Sequence, residues 1–175
     1  MGKYRKKVQV VVLLAVLIIG GYAIFQSFQN NDSNNLIKIG QTAPDFRLAN
    51  LNNEPVALSD YIGTPLVINF WGTFCEPCIR EIPSFQNQYE KWNEQGLEII
   101  GINLSEDSLT VSNYVRKFNM TYPVVRDVDR KTEKKYGLRS YPTTFFVKSD
   151  GTLQAAVVGE MTEKQIEEHI QQLMQ

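Results

Sequence analysis

The first apolar stretch of the chain is its longest. Val8 to Phe25 is interrupted only by Gln9, Gly20, Gly21 and Tyr22, and nothing in 10–19 is polar. A helix of that length rises about 27 Å, close to the roughly 30 Å of a bilayer's hydrocarbon core, and it has no polar face to lie along a membrane surface. Residues 26–35 (QSFQNNDSNN) are polar and aperiodic, as a linker is. After them the pattern changes to short elements. Residues 43–48 alternate, and Asn52-Asn53 turns the chain into 55–58, which predicts a β-hairpin. LVINFW (66–71) and LEIIGINL (97–104) are the nearly continuous apolar runs of buried strands. Between them a helix is predicted over 75–92, with Ile82, Phe85, Tyr89 and Trp92 on one face. A second helix follows over 108–118, then a short strand at 123–125 and a helix at 130–136 whose RKTEKK run reads as a solvated face. Strands at 143–147 and 152–158 join at Asp150-Gly151, and a last helix spans 162–174 with Thr162 as its N-cap. The order βαβαβ then ββα predicts a three-layer α/β/α domain around a central mixed sheet.

Charge sets the direction of the apolar run. Lys3, Arg5, Lys6 and Lys7 precede it without an acid, which predicts a cytoplasmic tail over 1–7, a transmembrane anchor over 8–25, a linker over 26–36 and an extracytoplasmic domain over 37–175. A cleaved signal peptide, with small residues at Gly21 and Ala23, is the alternative and implies the same compartment. Without those four bases the chain has 14 basic and 19 acidic side chains, a body of −5, which argues against nucleic acid as a partner.

The chain has two cysteines, Cys75 and Cys78, separated by Glu76-Pro77 where the LVINFW strand gives way to a helix. A helix N-terminus offers unpaired N–H groups and the positive end of the macrodipole, both of which stabilise a thiolate. Pro77 suits a first turn, where its missing N–H has no partner to lose. Cys75, at the open tip, is expected to attack a substrate disulfide, and Cys78, one turn deeper, to resolve the mixed disulfide. A zinc site is the weaker reading, since His169 is the sole histidine, and a purely structural disulfide would close too short a loop to add much stability.

With these residues in place the chain resembles the thioredoxin superfamily. Trp71 to Cys78 (WGTFCEPC) is similar to its active-site motif, Pro83 to its helix-kinking proline, and Tyr141-Pro142-Thr143 to its cis-proline segment. The resemblance covers nearly all of 37–175. The 64 residues from Cys78 to Pro142 exceed the minimal spacing, which points to the TlpA/ResA-like, membrane-anchored subgroup with an N-terminal hairpin and an inserted strand–helix. It implies a thioredoxin-like fold and a redox-active disulfide Cys75–Cys78 in place of any other cofactor. It also implies substrate contacts from Tyr141, Pro142 and Thr143 and a cis bond before Pro142; Glu76 and Pro77 are further candidates for such contacts, with Glu76 as an acid merely favoured by the dipole of the first turn as the competing reading. The implied client is the disulfide in the haem-binding motif of apocytochrome c, or another extracytoplasmic disulfide protein; the implied electron source is a CcdA-type membrane carrier. The chain departs from the subgroup at Phe74, where a tryptophan stands before the first cysteine.

Thioredoxins carry an acid on the strand entering the site; here that position is Asn69. Glu81 is the candidate replacement, since 75, 78 and 81 form one shallow ridge on a helix, and a carboxylate there can take the resolving thiol's proton. Glu81 as a solvated surface acid is the competing reading. Acids beside the thiols disfavour the thiolate and so favour a reductant. Trp71, Phe74 and the other aromatics read as core or site walls. Asn103-Leu104-Ser105 and Asn119-Met120-Thr121 fit the glycosylation pattern, which is common by chance. Two rivals remain. A thiol peroxidase needs a threonine three residues before its reactive cysteine, where this chain has Gly72; a non-catalytic binding module would hold partner thiols without turnover.

Overall fold

The computed structural model describes residues 9, 12–22 and 37–175. The chain divides into two units, 1–35 and 36–175. In the first, residues 12–22 are helical. No helix among the described residues is long and apolar enough to cross a membrane, and the remainder of the predicted span, with the linker, lies outside them.

In the second unit the described strands are β1 (Arg47–Asn50), β2 (Pro55–Ala57), β3 (Leu66–Trp71), β4 (Glu98–Leu104), β5 (Val124–Asp127), β6 (Thr143–Val147) and β7 (Leu153–Val158). The helices are α1 (Glu76–Trp92), α2 (Ser108–Lys117), α3 (Lys131–Lys135) and α4 (Glu163–Leu173). The strands form one mixed sheet in the order β2-β1-β5-β4-β3-β6-β7. β3, β4 and β5 are parallel, while β1, β6 and β7 run against their neighbours.

Every residue of β3 is buried, so its alternation serves two cores. Val67 and Trp71 join Ile82 and Phe85 of α1 and Ile166, Ile170 and Leu173 of α4 on one side. Leu66, Ile68 and Phe70 join Phe46, Tyr136, Phe145 and Leu153 on the other. Asn69 falls on the α1 side, inside a buried strand. Trp71 is fully buried as a wall of this core, with its ring nitrogen lacking a hydrogen-bond partner.

Two expectations are corrected, and one pattern match is excluded. The first strand begins at Arg47 rather than 43, because Pro44 has no N–H for a ladder and Ala43 and Phe46 are drawn into the second core. The RKTEKK run is a solvated face only in part: Lys131, Lys134 and Lys135 are exposed, while Arg130 and Glu133 are half-buried. Thr132 and Tyr136 are buried, and the buried Asp127 carboxylate accepts the Thr132 and Glu133 N–H groups at 3.2 and 2.7 Å, anchoring α3. Asn103 is buried, so its glycosylation pattern is not an acceptor site.

Candidate active site

The register between β3 and β6 assembles the site. Phe70 pairs with Thr143, so the chain leaving β3 toward the cysteines lies beside the chain entering β6 from Pro142. The Tyr141–Pro142 bond is cis, as the resemblance implied. Pro142 and Thr143 are buried; the Pro142 carbonyl accepts the Gly159 N–H at 2.8 Å, and the Thr143 hydroxyl donates to Ser140 O at 2.7 Å.

Cys75 is the N-cap of α1 and is disulfide-bonded to Cys78, with 5.3 Å between their Cα atoms. The Cys78 N–H points at Cys75 Sγ, 3.3 Å away, so the helix start supplies a donor to the sulfur that has to carry charge. Cys75 is 8 % exposed and Cys78 2 %. The predicted order of exposure holds, but the tip is less open than expected. Pro77 sits in the first turn of α1, and Pro83 lies inside the helix, where it cannot bond the Ile79 carbonyl.

Glu81 is not a solvated acid. It is 2 % exposed; one carboxylate oxygen accepts the Met161 N–H at 2.6 Å, and the other is buried with no partner. Burial pushes its pKa up to about 7, against the pull of the Met161 N–H and with the help of the Glu160 charge. It stands one helical turn beyond Cys78 on the same ridge, within the reach of an i,i+3 pair. Asn69 has no acidic role to take over: its amide donates to the Thr144 hydroxyl at 3.0 Å across the β3–β6 pair.

Glu76 is exposed at the helix start and pairs with Arg80 at 3.0 Å; Arg80 also grips Glu160 at 2.6 Å. Phe74 is 59 % exposed, its ring lying over Gly72 so closely that a Cβ there would come within 2.4 Å of it. The Phe74 and Tyr141 rings form a T-shaped pair, with centroids 6.1 Å apart at 80°. The Tyr141 hydroxyl bonds Arg130 at 2.7 Å and also Glu133.

Glu106 escapes any reading of local pattern. From beyond β4 it accepts the Thr73 N–H at 2.8 Å and the Asn103 amide at 2.7 Å, and it bonds the Thr73 hydroxyl as well. It therefore ties down the loop that delivers Phe74 and Cys75. The one clue in sequence is position, since polar residues just past the carboxyl end of a buried parallel strand commonly face a site. Among the described residues no acidic, histidine and cysteine side chains gather into a group able to hold a metal ion.

Residues 39–156 match the model of the AhpC/TSA family. The chain is 36 % identical over 169 residues to the thiol-disulfide oxidoreductase ResA of Bacillus subtilis (strain 168), covering 96 % of this chain and 93 % of the relative. The ResA of Geobacillus thermodenitrificans (strain NG80-2) is 34 % identical over 169 residues, covering 97 % and 96 %. Among solved structures, StoA from Bacillus subtilis superposes with a TM-score of 0.63 at 24 % identity, over 73 % of this chain and 97 % of StoA. A thioredoxin-family thiol:disulfide interchange protein from Chlorobium tepidum TLS gives 0.71 at 23 %, over 79 % and 99 %. Those two likenesses show the thioredoxin-like fold, and the sequence relatives go further. With a Cys75–Cys78 pair at the head of α1, the chain belongs to the AhpC/TSA family and, within it, to the thiol–disulfide oxidoreductases of the ResA type.

Proposed function

We propose that the protein is a membrane-anchored reductase of extracytoplasmic protein disulfides, with the haem-binding motif of apocytochrome c as its client and a CcdA-type membrane dithiol as its electron donor. The observation that carries the direction is Glu81, a buried acid with one free oxygen, one turn from the resolving cysteine. The run of bases before residues 8–25 supports the anchor and its orientation.

In the reduced enzyme the Cys75 thiolate, held by the Cys78 N–H and the helix start, attacks one client sulfur. A Cys75–client disulfide forms, the client's own S–S bond breaks, and the departing client thiolate takes up a proton. The ionised Glu81 then accepts the Cys78 thiol proton. The Cys78 thiolate attacks Cys75 Sγ, closing the enzyme disulfide and releasing the second client sulfur, which is protonated in turn. Two electrons pass from enzyme dithiol to client, and an external dithiol restores them. A carboxyl titrating near 7 suits this task, because it is both available as a base and readily reloaded. Its charge also disfavours a neighbouring thiolate, which makes the dithiol a better reductant. Phe74, Tyr141 and the Pro142 segment frame the disulfide on the side a client strand approaches.

Cys78→Ala in cells tests the reading, because it arrests the reaction at the mixed disulfide. Apocytochrome c bound to Cys75 is the expected catch. Capture of other secreted proteins alone would replace the client while keeping the chemistry.

A further inference from the structure

We propose that Arg130 and Glu133 are positioning residues for client recognition: together they clamp the Tyr141 hydroxyl so that its ring stays T-shaped against Phe74 at the mouth of the disulfide. The inference rests on the reductase reading above and adds to it a specificity device reached from the opposite core of the sheet.

Neither residue lies near the cysteines in sequence, and α3 packs on β5 rather than on the redox helix. Yet Arg130 meets Tyr141 twice, by a 2.7 Å hydrogen bond to the hydroxyl and by its guanidinium lying 5.9 Å from the ring centroid. Glu133 takes the hydroxyl's own proton in a hydrogen bond and pairs with Arg130 Nε at 2.6 Å. The phenol is thus donor to one charged group and acceptor from another, which leaves its ring one orientation. In that orientation the ring meets the exposed Phe74 in a T-shaped contact. Tyr141 also immediately precedes Pro142, so the clamp acts on the segment a client strand runs along.

The backbone adds an independent observation. Arg130 holds φ at 56°, the left-handed region that glycine enters freely and a long side chain does not. Glycine would relax this turn. A guanidinium kept at a strained position is explained by what it holds.

The test uses an oxidised peptide carrying a Cys-Ala-Ala-Cys-His disulfide and the full-length reduced protein, with KM and kcat measured separately. Arg130→Gly removes the guanidinium and relieves the backbone; KM is expected to rise roughly three- to tenfold, the scale of one ordinary hydrogen bond, with the change falling in KM rather than kcat. Tyr141→Phe removes only the hydroxyl and guards against a folding artefact; it should raise KM comparably. The double variant should be no worse than either single one, because both break the same clamp. An unchanged KM in Tyr141→Phe, or penalties that simply add in the double variant, would overturn the proposal and leave the reductase reading intact. If the wild type does not turn over the peptide at all, the reductase reading falls and takes this one with it.

Discussion

Two carboxylates on one helix flank the disulfide and meet opposite environments. Glu76, in the first turn of α1, is in water and shares Arg80 with Glu160. Glu81, five residues on, is sealed beneath α1 with one oxygen held by a backbone N–H and the other unpartnered. The outer wall of the site is a solvated ion-pair network, where each contact is screened and contributes little. The inner wall places an acid where its charge is costly, which moves its titration to the range where proton transfer is useful. The same residue type stays an ordinary solvated acid in one place and is pushed toward neutral titration in the other, chiefly because burial removes its solvent.

The largest expected break in that contrast is Glu81→Gln. Disulfide exchange should fall about tenfold or more, and the rise in rate as the wild type passes pH 7 should disappear; stopped-flow turnover against pH measures both. Stability moves the opposite way. A carboxyl whose folded pKa is raised from 4.5 to about 7 keeps its proton in the fold while the unfolded chain has lost it, so the wild type weakens as pH climbs through that window. Removing the titration should flatten the slope and leave the variant about 2–3 kcal/mol more stable at pH 8, read from urea unfolding at pH 4 and 8.

Next in size is Glu106→Ala, which strands the Thr73 N–H and the buried Asn103 amide. A loss of about 1–3 kcal/mol is expected, together with a drop in exchange rate as the Cys75 loop loosens; chemical denaturation and a thiol-exchange assay report the two parts. Phe74→Ala removes the exposed ring of the mouth and should raise KM for a disulfide peptide about three- to fivefold. Arg80→Ala breaks both outer ion pairs, and its effect on stability should be the smallest of the set and shrink further at high salt. A larger effect from Arg80 than from Glu81 would reverse the comparison.

Much of the architecture is legible in the chain before any coordinates. Strand β3 announces itself as six apolar or buried positions, the Asp150-Gly151 hairpin as a turn dipeptide, and α4 by the Thr162 cap that holds the Gln165 N–H. These are local signals, set by backbone preference and by the side-chain period of one element. Errors fell where tertiary contacts outweighed local pattern. The alternation at 43–46 looks like a strand, but Ala43 and Phe46 are buried by the second core without a ladder. The charges of 130–135 look solvated, and the three lysines are, but Asp127 draws Thr132 down and Tyr141 engages Arg130 and Glu133.

The site divides the same way. Sequence alone determined the redox pair, since two cysteines spaced by Glu-Pro at a strand-to-helix junction have few other uses, and the helix start dictates which sulfur is activated. It also singled out Glu81, because helical spacing carries 75, 78 and 81 along one ridge. Tertiary structure decided whether that acid is solvated or buried, because burial depends on what Met161 and the α4 side cover. It also decided the partners of the mouth. Glu106 lies 33 residues from Thr73, and Glu133 reaches Tyr141 only because β5 and β6 lie on either side of β4 and β3 in one sheet. Periodicity within an element is local and can be read residue by residue. The electrostatic environment of a side chain is a sum over neighbours that only the folded chain brings together.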